Sequence, residues 1–314
     1  KKKQEAINEL GYDGTKIFNI QAAVENDFVP VRMPPHDIQN FLQHYGLKPK
    51  FVLYVPGGFD PRKNCERLIK AYAKLPFNIR AEHQLVIASK ISSDVKEYFL
   101  NIALQAGFQE KELALLGYVS DEDLKALYSL CKLFVFPSLH EGFGLPLLEA
   151  MSCGAAVIGS NTTSIPEVIG DEEALFDPYS IHSIRSKMEV ALSSQDFLDD
   201  LKRKAHEYKK NFSWDRSSKK TYEAIMRFEN TESKATPIDQ NKLVQAINAK
   251  DYHLSEDDKV SIADCIANNN RVFSKPQLLV DISKLVKTDA KSGIQRVVRS
   301  LLSQWIHLQD NELD

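Results

Sequence analysis

Two carboxylates, Glu141 and Glu149, bracket a glycine turn in the stretch His140-Glu141-Gly142-Phe143-Gly144-Leu145-Pro146-Leu147-Leu148-Glu149-Ala150. The run Leu133 to Phe136 that leads into it is β-branched and aromatic, as strands are, and Pro137-Ser138 ends it. The segment after Gly144 reads as a helix, and Pro146 suits a first helical position, where its missing N–H costs nothing. A strand, a glycine turn and a helix start together make a place for a phosphate. First-turn N–H groups lack partners inside the helix, and the macrodipole is positive at that end. Glycine also lets the backbone come close to a ligand. A carboxylate beside a bound diphosphate is repelled unless it accepts hydrogen bonds, so Glu141 and Glu149 are expected to face hydroxyls. A ligand with a diphosphate in the middle and hydroxyls at both ends is a nucleotide sugar. The same turn also occurs in α/β domains that bind no ligand, so the elements around it must decide.

Before the stretch, apolar runs and helical patterns alternate. Phe51 to Val55 reads as a buried strand followed by Pro56-Gly57-Gly58, then a helix from Asn64 to Leu75 with Asn64 as its cap. Leu85 to Ala88 and Leu113 to Leu116 are further strands, with a helix from Ser93 to Ala106 between them. Ser120-Asp121-Glu122-Asp123 resembles a capping box opening another helix. Ala155 to Ile158 and Glu173 to Phe176 complete the strand set. The alternation predicts an α/β fold, a Rossmann-like doubly wound parallel sheet with a helical C-terminal extension over residues 180–228, where Ser213 is a candidate cap. Ligands of such sheets bind beyond the carboxyl ends of the strands. Gly57-Gly58, Gly117 and Glu141 to Gly144 each follow a strand and are expected to converge there.

Residues 1–50 read as a tail with a short strand over Lys16 to Ile20 and a helix from Asp37 to Tyr45 ending at Gly46. Residues 229–275 read as a linker with two helical patterns, the second boxed by Ser255-Glu256-Asp257-Asp258. At Gln277 to Ile282 a strand begins again, followed by a polar loop over Thr288 to Ser292, Gly293, and a helix from Ile294 to Ile306. The absence of an initiator Met and the pattern broken off at Asp314 suggest a piece of a longer polypeptide.

Composition narrows the class. Of 314 residues 43% are hydrophobic and 26% charged, as in soluble globular chains, and a net charge of −3 gives no footprint for nucleic acid. Cys65, Cys131, Cys153 and Cys265 form no Cys-x-x-Cys pair, so neither zinc nor a disulfide framework is expected and a reducing cytoplasm fits. No apolar run approaches the roughly 20 residues of a membrane span. The basic tracts Lys202-Arg203-Lys204, Lys209-Lys210 and Lys219-Lys220 read as a solvated helical face, with a membrane-surface patch as the alternative.

Phe51 to Phe228 resembles the donor-binding, C-terminal domain of retaining glycosyltransferases of family 4, which have the two-Rossmann GT-B architecture. The match runs through Tyr54-Val55-Pro56-Gly57-Gly58-Phe59-Asp60-Pro61-Arg62-Lys63-Asn64, Leu116-Gly117-Tyr118-Val119, the E-x7-E pair Glu141 and Glu149, and Ser164-Ile165-Pro166-Glu167-Val168-Ile169-Gly170. The Arg-Lys-Asn form resembles enzymes that build bacterial O-antigen and capsule polysaccharides, many of them mannosyltransferases. By the same resemblance, residues 1–50 are the tail of an acceptor domain with the interdomain crossing, 51–228 the donor domain, 229–275 the linker, and 276–314 the start of a second glycosyltransferase in tandem.

The resemblance implies roles. Lys63 is the diphosphate cation. The arginine that the family sets five residues earlier is replaced by Gly58, so Arg62 or the backbone of Gly57-Gly58 is expected to supply that contact. Glu141 is the carboxylate beside the transferred sugar. Gly142, Phe143, Gly144 and Leu145 offer the loop that meets the sugar and β-phosphate. Glu149 takes the ribose hydroxyls, and Tyr118 and Val119 bracket the base, with core packing as the other reading of Tyr118. Glu167 is expected to be a helix-start carboxylate that stabilises the neighbouring loop, and His140 to be structural. The implied reaction transfers a sugar, mannose from GDP-mannose above others, to a growing surface polysaccharide on a lipid-linked acceptor. It retains configuration, with no cofactor and no obligatory metal, in the cytoplasm or at the inner face of the bacterial membrane. The catalytic histidine of the family lies in the acceptor domain, and the chain by itself is expected not to turn over. Two alternatives stand beside this: a non-catalytic nucleotide-binding or positioning module, and a nucleotide-sugar epimerase of similar two-domain fold.

Overall fold

Strands buried on both faces read as unbroken apolar runs, because helices cover a parallel sheet on each side. The computed structural model describes residues 2–231, 255–269 and 293–307. Its six strands are β1 (Phe51–Tyr54), β2 (Gln84–Ala88), β3 (Leu113–Gly117), β4 (Leu133–Phe136), β5 (Val157–Ser160) and β6 (Leu175–Phe176). All pair in parallel, in the order β3-β2-β1-β4-β5-β6. The chain runs outward from β1 to β3, then returns to β4 on the other flank of β1 and runs outward again. The switch point therefore lies between β1 and β4, which pair at Val52 with Leu133 and Leu53 with Phe134. In open α/β sheets a crevice opens at this place, beyond the carboxyl ends of the strands.

The helices are α1 (Lys2–Leu10), α2 (Pro35–Tyr45), α3 (Cys65–Ala73), α4 (Phe77–Glu82), α5 (Ser93–Gln105), α6 (Asp121–Leu130), α7 (Leu145–Ser152), α8 (Ile165–Ile169), α9 (Ile181–Ser193), α10 (Gln195–Tyr208) and α11 (Trp214–Thr231), followed by helices Glu256–Asn269 and Gly293–His307. One compact unit comprises residues up to Thr221 with the segment from Arg296. The other is Tyr222–Gln295. In the first, Leu53, Phe134, Val135 and Ile158 on the strands meet Leu68, Ile69, Leu127 and Leu147 on the helices, all fully buried. Burying each such side chain removes about 1.5–3 kcal/mol of apolar exposure. Serines open several helices. The hydroxyls of Ser120 and Ser213 accept from the N–H groups of Asp123 and Arg216 at 3.1 and 3.2 Å. The Asp123 carboxylate does not close a box back to Ser120. It accepts instead from Tyr45 at 2.6 Å, tying α2 to α6. In the second unit the box is reciprocal, Ser255 N–H to Asp258 at 3.0 Å and Asp258 N–H to the Ser255 hydroxyl at 3.2 Å.

Three expectations change. Lys16 to Ile20 forms no strand: Asp13 caps a 3-10 turn at Gly14–Lys16, accepting from the Thr15 N–H at 2.9 Å, and Ile17 and Ile20 line a cavity of about 360 Å³ with Phe143 and Phe212. β5 begins at Val157, two residues after the apolar run starts, and β6 is preceded by a 3-10 turn, Glu172–Ala174. The short α4 was not legible, since six residues carry too little periodicity, whereas α8 holds Glu167 in its first turn, as expected. The strand expected over Gln277 to Ile282 and the loop over Thr288 to Ser292 lie outside the described residues.

Several surface groups have partners within the chain. Part of the basic stretch is paired: Arg203 meets Asp200 within α10, Lys204 meets Glu173 at 2.7 Å, and Lys210, in the 3-10 turn after α10, meets Glu207 at 2.7 Å. This agrees with a solvated helical face. Cys65, Cys131 and Cys153 are free and buried, and burial pushes each thiol up to about 12, so they pack as apolar groups. Among the described residues no helix is long and apolar enough to cross a membrane.

Candidate active site at the switch point

The loop after β1 ends in a 3-10 turn, Pro61–Lys63, started by Asp60, whose carboxylate accepts from the Arg62 N–H at 3.2 Å. It brings Lys63 over the end of β4. The Lys63 Nζ donates to Glu141 Oε1 at 2.8 Å, with both side chains 13% exposed. Two buried groups fix the lysine's backbone. The Tyr54 hydroxyl donates to the Lys63 carbonyl at 2.6 Å, and burial holds its ionisation far above the phenol range, so it stays a donor. Asn64 follows at φ 59°. Its side chain does not cap α3, contrary to expectation. The Nδ2 donates to the carbonyls of Pro137 at 2.9 Å and Pro178 at 2.8 Å, so Asn64 clamps the loops after β4 and β6 to that after β1. Asparagine tolerates the left-handed region this position needs.

The loop after β4 carries Glu141 into the crevice and ends at Gly144, the first flank of α7, at φ 107° and ψ 50°. A Cβ there would lie 3.6 Å from the Phe136 ring, in a conformation that L side chains rarely adopt. No side chain caps α7, and Pro146 sits in its first turn as the second residue. The positive end of α7 thus lies beside the Lys63–Glu141 pair, and a helix start favours an anion. A partly buried ion pair of this kind holds only while each charge is matched.

Glu149 lies deeper, 5% exposed on the inner face of α7, so it is not a surface glutamate. The Tyr128 hydroxyl donates to its Oε2 at 2.9 Å, and Arg296 donates to its Oε1 at 3.2 Å while also meeting Asp121 at 3.2 Å. Burial pushes this carboxyl up to about 7, against the pull of the Tyr128 hydrogen bond and the Arg296 charge. Neither partner was foreseen. Tyr128 reads as one apolar residue of α6, and 147 residues separate Arg296 from Glu149, with no local pattern linking them.

The family model described as "Glycosyl transferases group 1" matches residues 37–210. The chain belongs to that family. It is similar to serotype-specific mannosyltransferase WbdA of Escherichia coli, 41% identical over 310 residues, covering 96% of this chain and 36% of that protein. It is similar also to O-antigen chain mannosyltransferase B of Escherichia coli, 34% identical over 223 residues, 71% of this chain and 57% of that protein. The chain thus spans only 36% or 57% of the length of these curated relatives. Among solved structures, a glycosyltransferase from Rickettsia africae ESF-5 superposes with a TM-score of 0.62 at 18% identity, over 73% of this chain and 62% of that one, which shows the shared GT-B-like Rossmann fold.

In this glycosyl transferase group 1 chain the expected site residues divide by strand. Lys63, Glu141, Gly142, Phe143, Gly144 and Leu145 gather at the adjacent ends of β1 and β4. Arg62 is 58% exposed and engaged by Asp60, its Nε 2.7 Å from Oδ1, so its guanidinium faces its own turn. Gly57 is exposed at φ 68° and Gly58 half-buried at φ 155°. Tyr118 and Val119 stand at the end of β3, two strands from β1. Tyr118 is 78% exposed, which removes core packing as its role, whereas Val119 packs on the core. Glu167 is exposed on α8, and His140 is exposed beside the loop.

Proposed function

We propose that this chain is the donor-binding half of a transferase that moves a mannosyl residue from GDP-mannose to a growing bacterial surface polysaccharide, with retention of configuration. One observation carries the reading: Lys63 and Glu141 pair at 2.8 Å beside the uncapped start of α7, at the switch point of the sheet. The relatives' names, mannosyltransferase and O-antigen, support the sugar and the product.

In this reading the diphosphate lies on Lys63 and the first N–H groups of α7. Glu141 accepts from the hydroxyls of the transferred sugar, Glu149 from the ribose, and Tyr118 and Val119 flank the base. The bond from the anomeric carbon to the β-phosphate oxygen breaks, and the acceptor oxygen bonds to that carbon on the same face. The acceptor's proton passes to the departing diphosphate. The protein's contribution is positioning and neutralisation of the leaving charge. The proposal assigns that charge to Lys63 and the helix terminus rather than to a resident metal, so transfer is expected to survive EDTA. It extends to a lipid-linked acceptor at the inner membrane face and to a second transferase domain in tandem.

A second reading has this half bind nucleotide or position a neighbour without transferring sugar. Gly58 at the position where the resemblance sets an arginine, with Arg62 occupied by Asp60, favours it. The full-length polypeptide with Glu141→Gln separates the two. Loss of polymer synthesis with GDP binding kept supports transfer at this site, and undiminished polymer supports the module.

A further inference from the structure

The loop that carries Glu141 does not hold its own shape. Three consecutive hydroxyls on the loop after β5 reach across to it. Thr162 donates to the Leu139 carbonyl at 3.1 Å, and the Thr163 hydroxyl accepts from the Glu141 N–H at 3.2 Å. The Ser164 hydroxyl lies 3.1 Å from the Glu141 carbonyl and 3.0 Å from that of Phe143, so its single proton is shared between them. Both peptide groups of Glu141 are therefore gripped from outside, one by Thr163 and one by Ser164. On the other side the Leu139 N–H donates to the Arg62 carbonyl at 2.7 Å, which ties the same loop to the turn that bears Lys63.

Thr163 adopts φ 51° while 8% exposed. A β-branched residue in the left-handed region is an outlier that the surroundings must enforce. Its hydroxyl has one visible task, the N–H of Glu141. Ser164, 4% exposed, flanks the start of α8, whose Ile165 and Ile169 press on β5 and leave the three residues little freedom.

We infer that Thr163 and Ser164 are positioning residues for sugar transfer, a hydroxyl clamp that sets the backbone of Glu141 so that its carboxylate meets both Lys63 and the transferred sugar. This rests on the donor-site reading above. The clamp acts on the sugar end of the site, because its partners are the peptides on either side of Glu141. Glu149 and Tyr128, at the nucleoside end, are held by different groups.

The test uses the full-length polypeptide with Thr163→Val, Thr163→Ser and Ser164→Ala, measuring mannosyl transfer from GDP-mannose, GDP affinity by calorimetry, and Tm. Thr163→Val keeps the shape and removes the hydroxyl. It is expected to lower kcat by between about tenfold and a hundredfold, the scale of a misplaced reacting group, while GDP affinity and Tm change far less. Ser164→Ala should follow it, and Thr163→Ser should restore the rate. Wild-type kcat in Thr163→Val overturns the clamp. So does a loss of rate, GDP affinity and Tm in parallel, which marks a merely structural hydroxyl. A wild-type protein that binds no GDP sinks the donor site itself, a distinct failure from the clamp's.

Discussion

At the scale of single residues, charge balance around the crevice controls what the site can do. Lys63 neutralises Glu141 at 2.8 Å, and in the proposed function the same Nζ takes the diphosphate. Lys63→Met should lower kcat for transfer by about 10²–10³, the usual cost of removing one group that stabilises developing charge, and raise the donor KM. Steady-state kinetics of the full-length polypeptide checks both, and unchanged kinetics would remove Lys63 from the site. Glu149 titrates near 7 because it is buried. In the proposed function Glu149 accepts from the ribose hydroxyls as the ionised carboxylate, so nucleotide affinity should fall as the pH drops below about 7, and Glu149→Gln should bind more weakly with that pH dependence gone. The stability term has the opposite sense. The folded state holds this proton more tightly than the unfolded chain, so its contribution is fullest below the ordinary carboxyl value of 4.5 and is lost as the pH rises to about 7. Calorimetric titration at several pH values reads the first effect and thermal unfolding the second.

At the scale of elements, the site is made by loops clamped to one another. Asn64 joins three of them through the carbonyls of Pro137 and Pro178. Asn64→Ala leaves two buried carbonyls without donors and puts a Cβ at φ 59° without the asparagine's tolerance for it. It should cost about 2–4 kcal/mol. Asn64→Gly should recover about 1 kcal/mol of that by relieving the backbone alone, and denaturant unfolding of both variants tests the split. Gly159 in β5 is a second point of close approach. A Cβ there would meet Ile169 at 2.8 Å and Ile165 at 3.0 Å. Gly159→Ala should push α8 off the sheet, lower Tm and slow transfer through the hydroxyls at 162–164.

Much at this scale was legible in the chain. The strands showed as apolar runs, the serine caps as hydroxyls ahead of helical periodicity, and the turn at Gly144 as glycine between strand and helix. Asn64 was misread because an asparagine before a helix looks like a cap, and whether it sits in the left-handed region is decided by neighbouring loops. The roles of Thr162, Thr163 and Ser164 were hidden for a similar reason. A row of hydroxyls in a turn has many local partners, and only the packing of β5 beside β4 turns these toward Glu141. The contact of Arg296 with Glu149 joins segments 147 residues apart and has no local signature at all.

At the scale of the whole molecule, strand order decides where chemistry can occur. Because the chain leaves β1 in one direction and returns to β4 on the other flank, the strand order reverses between them, and the loops at their carboxyl ends meet there. Lys63 and Glu141 pair at that point, while Tyr118 and Val119 stand farther along the edge, at the end of β3. The core that fixes this order is continuous, and Phe134→Ala, fully buried in β4, should cost about 3–5 kcal/mol and abolish nucleotide binding through lost structure rather than lost chemistry.

The central claim, that the β1 and β4 loops form a donor site for a GDP-sugar, is tested most directly by calorimetric titration of the wild-type protein with GDP, GDP-mannose and UDP near pH 8, where Glu149 is ionised. The account predicts saturable binding of GDP and GDP-mannose, weakened by Lys63→Met, with UDP weaker by about tenfold or more, or about 1.4 kcal/mol. Absence of any nucleotide binding at millimolar ligand, or equal binding by wild type and Lys63→Met, would contradict it.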